Sequence, residues 1–248
     1  MLVLLPPSET KRDGGVEASA LDLAALSFPE LTASRKATLS ALKTLSRNLA
    51  ISTAALGLGP KQRFEIDRNR VIASSPVMPA IERYTGVLFD GLGAETLDPA
   101  ARAWVDEHVL INSALFGLIG AGDPIPAYRL SHNSRLPGLP LKKHWSGPLT
   151  ALLERQPGLI LDLRSESYAA LGALPVRADT AYLRVVTVTG DGRSKALNHF
   201  NKKGKGVFVR ALATAGRDHV DIPSLLEWAA GEGVRLELGE PGQLELFV

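Results

Sequence analysis

The sequence predicts an α/β domain spanning residues 1–248, with one mixed β-sheet covered by helices. Three observations carry that expectation. Two short apolar runs, Leu2-Val3-Leu4-Leu5 and Leu159-Ile160-Leu161-Asp162-Leu163, read as buried strands. The run Ala181 to Thr189 alternates with period two, and Leu183–Val188 is its strand core. Between these lies an apolar helical stripe, Leu39, Leu42, Leu45 and Leu49, with Arg35, Lys36, Lys43 and Arg47 off it.

Composition sets the outer bounds. A chain of 248 residues, 45% of them hydrophobic, is long enough to bury one sizeable core. Cysteine is absent, which excludes disulfides, thiolate zinc sites and cysteine-held iron–sulfur clusters. It also fits a reducing cytoplasm. The apolar Met1–Leu5 is stopped by Pro6-Pro7 and is too short for a signal segment. No run reaches the roughly 18 apolar residues that a membrane span requires. A monomer with no cofactor and no tightly bound metal is expected, since no His, Asp or Glu spacing forms a ligand set.

The net charge of +2 hides a sorted distribution. Eight Lys/Arg and two acids lie between Arg35 and Arg70, and seven Lys/Arg against one acid between Asp191 and Arg217. Two such tracts point to a polyanionic partner, with solvated helix faces as the plainer alternative.

Taken in order, Leu2–Leu5 leads into a polar loop, Pro6 to Gly15, where α/β proteins place ligand groups. Ser34–Leu49 is a helix. A second helical piece, Ile51–Leu56, runs into Gly57-Leu58-Gly59-Pro60-Lys61, which looks like the hairpin of helix-hairpin-helix DNA-binding motifs. Its glycines let backbone N–H groups point outward beside a helix start, a phosphate site to which Lys61 and Arg63 add charge. Val71–Ala73 is expected as a strand and Ala80–Tyr84 as a helical turn. Asp98 caps a helix that has Pro99 at its first position and ends at Val109. Val109–Ile111 is a strand leading into Asn112–Leu130. That stretch has glycines at Gly117, Gly120 and Gly122, then Pro124 and Pro126. It reads either as a buried helix end with a tight loop or as an anion anchor at Arg129. Gly147–Glu154 is a helix. After a turn at Gly190–Ser194, Ser194–Phe200 is expected to return as a strand, and the helix to begin at Val207. Helix Pro223–Gly231 and strands Val234–Leu238 and Leu244–Phe247 complete the chain.

Four motifs in sequence resemble the YaaA family of peroxide-stress proteins. They are Ser113-x-Leu115-Phe116-Gly117 leading through Asp123 to Tyr128-Arg129-Leu130; Phe89-x-Gly91-Leu92-x-Ala94-Glu95-Thr96; Ser165 with Tyr168; and Lys202-Lys203-x-Lys205-Gly206. The departures are specific. Glu9 stands where the family has a lysine, with Lys11 two residues on. Glu166 precedes the family's carboxylate position by one residue, and Lys205 replaces an arginine, keeping the charge without the bidentate fork.

The resemblance implies a cleft that gathers Lys11, Glu95, Arg129, Glu166, Tyr168 and Lys202. It also implies a cytoplasmic stress protein that binds double-stranded DNA and limits iron-dependent damage. The expected DNA contacts are Gly57, Gly59, Lys61, Arg63, Lys202, Lys203 and Lys205. Two other readings stay open: an enzyme acting on a nucleotide or nucleic acid in that cleft, and a plain interaction domain. For Glu95 a helix-cap role is an equal alternative.

Overall fold

The computed structural model describes residues 1–186 and 198–248, without the side chains of residues 198–200. The chain begins with β1 (Leu2–Leu5), then helices α1 (Thr32–Leu45), α2 (Leu49–Ala55) and α3 (Phe64–Arg70). Next come β2 (Met78–Pro79), α4 (Ala80–Arg83), α5 (Val87–Leu92) and α6 (Pro99–His108). Strands β3 (Val109–Ser113), β4 (Gly117–Gly120) and β5 (Pro124–Ile125) precede α7 (Leu141–Glu154), β6 (Ile160–Asp162) and α8 (Glu166–Ala169). The last elements are β7 (Thr180–Val186), α9 (Asn198–Ala215), α10 (Ile222–Gly231), β8 (Leu236–Leu238) and β9 (Gln243–Phe247).

Seven strands form one sheet in the order β4-β3-β1-β6-β7-β9-β8. The five inner strands run parallel, and β4 and β8 close the two edges antiparallel. This is the mixed sheet expected. Inner strands are covered on both faces, which is why Leu2–Leu5 and Ile160–Leu161 read as unbroken apolar runs. From β1 the chain builds toward β3 on one side, then crosses to β6 on the other. The strand order therefore reverses at β1/β6, and the crevice beyond the carboxyl ends of those strands is where such sheets hold ligands. The buried side chains form one continuous cluster through the sheet and its helices.

Several local expectations change. Asn112–Leu130 is not a helix end: β3 and β4 form a hairpin, Ser113 pairing with Gly117. Gly117 has φ +69°, and a Cβ there would lie 2.7 Å from the Trp145 ring, so only glycine fits. Val71–Ala73 is a turn rather than a strand, and the expected strand core Leu183–Val188 lies in β7 as far as Val186. Its last two residues, and most of the turn and return after it, fall outside the described residues. Residues 198–206, however, are helical, so Lys202, Lys203 and Lys205 stand inside α9 and not in a loop before it.

The reason is packing. Gly204 and Gly206 read as helix breakers, but they are positions of close approach. A Cβ on Gly206 would lie 2.0 Å from Leu88 O of α5, and one on Gly91 2.8 Å from Lys203 O. The two helices meet backbone to backbone, and that contact outweighs the propensity cost of two glycines, about 1 kcal/mol each.

Arg35, counted among the tract's cations, is fully buried in α1. It donates to Phe116 O, Leu118 O and Ser27 O at 2.7–2.9 Å, so it braces the β3–β4 hairpin. Burial lowers its pKa to about 10.

Gly206→Ala should destabilise the protein by about 1–3 kcal/mol through overpacking against α5. Gly231, at the end of α10, has open space around it, so Gly231→Ala should be neutral or stabilising by about 0.4–1 kcal/mol. Urea unfolding of both variants measures the difference; equal effects would show that α5 and α9 are not in backbone contact.

Candidate functional site

At the β1/β6 reversal lies a cleft of about 990 Å³. Its walls are the Pro6–Thr10 loop after β1, Thr85–Phe89 entering α5, Ser131 and His132, the Leu163–Tyr168 loop after β6, the end of β7, and Asn201, Lys202 and Lys205 of α9. Three parallel strands thus aim their carboxyl ends into it.

Below the cleft, Asp162 and Arg164 are 1% and 0% exposed and joined bidentately, Nε to Oδ1 at 2.9 Å and Nη2 to Oδ2 at 2.7 Å. Arg164 also donates to Asn112 Oδ1 at 2.7 Å and to Gly172 O at 2.9 Å. Leu163 N donates to Leu4 O at 2.8 Å, tying this loop to β1. The floor is therefore fixed by side-chain and backbone bonds together.

One wall is a polar chain. Glu9 lines the cleft and pairs with Arg129 Nη2 at 2.5 Å, and Ser131 Oγ donates to Glu9 Oε1 at 3.2 Å. Arg129, the candidate anion anchor, is thus neutralised by Glu9. His132 packs edge-on against Tyr168 with ring centroids 5.1 Å apart. Burial raises the Tyr168 phenol, so it stays protonated at neutral pH.

Behind this wall sits Lys11. Its Nζ donates to Ser8 O at 2.9 Å and Glu9 O at 3.2 Å, and lies 4.3 Å from the centroid of the Tyr128 ring. Tyr128 OH bonds Tyr84 OH and Ser113 Oγ, each at 2.7 Å. Burial lowers the Lys11 pKa to about 7, with Glu65 opposing and Arg129 adding to the drop. Lys11 therefore holds the Ser8–Glu9 backbone from behind and does not line the cleft.

Of the residues expected together, Glu166, Tyr168 and Lys202 line the cleft, Lys11 and Arg129 support its wall, and Glu95 stands apart. Glu95 is exposed, with Arg12 Nη2 3.5 Å away, and takes no part in the cleft. Lys205, expected on an outer DNA face, points into the wall and donates to Leu163 O at 2.9 Å. Burial lowers its pKa to about 8 against the pull of Asp162 and Glu166. Sequence reasoning missed Ser131, His132 and Tyr182, which only tertiary contact brings to the cleft. It also missed the Asp162–Arg164 pair, whose signal was an acid at the last position of an apolar strand with an arginine two residues on.

The Gly57–Arg63 turn does join two helices, but its donors face inward. Gly57 N donates to Ala54 O and Leu58 N to Thr53 O, a left-handed helix cap at Gly57 with φ +62°. Gly59 N donates to Gln62 Oε1 at 3.0 Å, and Pro60 has no N–H. The expectation of outward amides at Gly57 and Gly59 is corrected on that ground. Lys61 and Arg63 remain exposed.

The Lys11 geometry predicts a stability signature. Its folded pKa lies below the unfolded value of 10.5, so between pH 7 and 10.5 the unfolded chain binds more protons. Wild-type stability relative to Lys11→Met should then rise with pH across that window, by up to about 1.4 kcal/mol per unit, and level off below it. Urea unfolding at several pH values checks this, and a flat difference would mean that Lys11 titrates as an exposed lysine.

Comparison with known proteins shows the family of the chain. Residues 1–230 match the family model described as peroxide stress protein YaaA. A UPF0246 protein of Corynebacterium efficiens is 44% identical over 245 residues, covering 97% of this chain and 96% of that one. One of Corynebacterium glutamicum is 41% identical over 242 residues, covering 96% and 95%. One of Streptomyces coelicolor is 38% identical over 260 residues, covering 100% and 98%. Matched along nearly its whole length, the chain belongs to the family of the peroxide stress protein YaaA.

Proposed function

We propose that this chain is a cytoplasmic stress-response protein that binds double-stranded DNA without sequence preference, as a monomer, and limits iron-dependent oxidative damage. The stress role rests on family membership. The DNA half rests on one observation: Lys36, Lys43, Arg47, Lys61, Arg63, Lys202 and Lys203 are all exposed, and among the described residues none is paired with an acid. Arg68 and Arg70 of the same tract are already neutralised, by Glu65 and Asp13 and by Asp67. Lys61 and Arg63 flank a hairpin that Arg135 N, donating to Ala55 O, ties to the Ser131–His132 wall. Lys202, in α9, lines the same cleft. Point cations on a surface neutralise phosphates and read no base edges.

No resident metal is invoked. Cysteine is lacking, and among the described residues no three His, Asp or Glu side chains stand together as a ligand set. Among them, too, no helix is long and apolar enough to cross a membrane.

A second reading, an enzyme acting on a nucleotide or nucleic acid, is favoured by the cleft's place at the strand-order reversal. Glu166 and Lys205 on its wall offer acid–base groups.

Duplex binding followed across a salt series tests the first reading. Log affinity should fall linearly with log salt, by about 0.9 per phosphate neutralised. Replacing Lys61, Arg63, Lys202 and Lys203 with Ala should weaken all sequences alike and reduce that slope by about one for each phosphate no longer neutralised. Unchanged affinity and slope would reduce these cations to a solvated surface.

A further inference from the structure

Lys205 is the cation that surface binding leaves unexplained. The residue lines the cleft, and its Nζ gives its protons to the wall, to Leu163 O at 2.9 Å and Arg164 O at 3.5 Å. The Tyr182 ring lies beside it, centroid 5.4 Å away. A neutral amine has two N–H donors and one lone pair. Two carbonyl acceptors match those donors and leave the lone pair for a ligand. Burial presses the same way, lowering the pKa to about 8. The charged and titratable groups around it are Asp162, held by Arg164, together with Glu166, Tyr182 and Lys202. An amine of this kind attacks carbonyl carbon.

We propose that Lys205 is a nucleophilic amine that condenses with the aldehyde of a phosphate-bearing sugar in the cleft, Glu166 carrying a proton from the nitrogen to the departing oxygen. This rests on the reading that the cleft side of the molecule takes phosphate. The Nζ lone pair forms an N–C bond to the aldehyde carbon, and the carbonyl π pair moves to oxygen. Glu166 takes a proton from nitrogen and returns it to that oxygen, giving a carbinolamine. Glu166 then delivers a second proton to the hydroxyl as the nitrogen lone pair expels it as water, and the protonated imine that forms returns its N–H proton to Glu166, leaving the imine. The amine's two hydrogens leave in that water, so no oxidant or reductant is consumed. Lys202 is placed to receive the phosphate. Two sources share this chemistry: the sugar left in DNA where a base has been lost, and a free sugar phosphate.

Borohydride reduction in the presence of either aldehyde tests the proposal, because it converts an imine to a stable secondary amine. The probes are a duplex oligonucleotide with one abasic site and glycolaldehyde phosphate. The expected result is a borohydride-dependent adduct that mass spectrometry maps to Lys205, with a yield that rises as pH passes through about 8. Lys205→Arg should abolish it, and Glu166→Gln should slow it by about 100-fold. An adduct with abasic duplex identifies DNA as the source, and one with glycolaldehyde phosphate alone identifies a free sugar phosphate. No adduct with either probe, or an adduct mapped to other lysines, overturns the proposal. Mapping in the unmodified chain keeps the result independent of whether a variant folds. Salt titration of an intact duplex runs in parallel. Intact duplex bound with neither aldehyde trapped overturns the imine alone. Trapping of glycolaldehyde phosphate without duplex binding overturns the DNA reading and keeps the imine.

Discussion

The buried pair of Asp162 and Arg164 is the constraint on which the cleft depends. Both side chains are out of water, and a buried ion pair recovers its desolvation cost only when geometry and further hydrogen bonds are good. Here the fork is bidentate, and the remaining donors reach Asn112 and Gly172. Three neighbouring parts of the fold, β3, the end of β6 and the turn at Gly172, are thereby held at one point. Loss of either partner would leave an uncompensated charge inside the sheet, at a cost of about 3–5 kcal/mol. The pair does more than stabilise: it fixes the Leu163 and Arg164 carbonyls that hold Lys205. The geometry of a cleft-lining amine is thus set by a salt bridge no ligand needs to touch.

The sheet was legible in the sequence because its inner strands are covered on both faces. Continuous apolar runs at Leu2–Leu5 and Ile160–Leu161 have no other use in so short a span. Helix α6 was legible from Asp98, whose side chain accepts from Ala101 N, and from Pro99 behind it. What stayed hidden was set by contacts distant in sequence. Gly204 and Gly206 look like an end to a helix, and only the close approach of Val248 to the first and of α5 to the second makes them the residues that permit one. Gly117 likewise suggests a helix cap until Trp145 is seen against it. A glycine's local meaning and its tertiary meaning differ, and sequence periodicity reports only the first.

The site was legible as a set of loops more than as a set of side chains. Loops after β1 and β6 meet at the cleft, as a parallel sheet with a strand-order reversal requires. Their chemistry was harder to read, because charge partners cannot be seen from spacing. Arg129, a candidate anion anchor, is already occupied by Glu9. Glu95 kept its place in the motif and still lies outside the cleft. Arg35, counted as a surface cation, is an internal brace.

Three lysines show why one residue type cannot be assigned one role. Lys11 is enclosed by tyrosine rings and backbone carbonyls and serves the shape of a loop. Lys202 is exposed, where it can meet a phosphate at little desolvation cost. Lys205 lies between these limits, buried enough to have its pKa lowered to about 8 yet on the wall of the cleft. Deeper burial would make it another Lys11, and fuller exposure another Lys202. The intermediate position is set by Gly206, one residue on, which lets α9 sit against α5 and brings the lysine to the floor that Arg164 holds. The chemistry available in the cleft is therefore a consequence of how closely two helices approach.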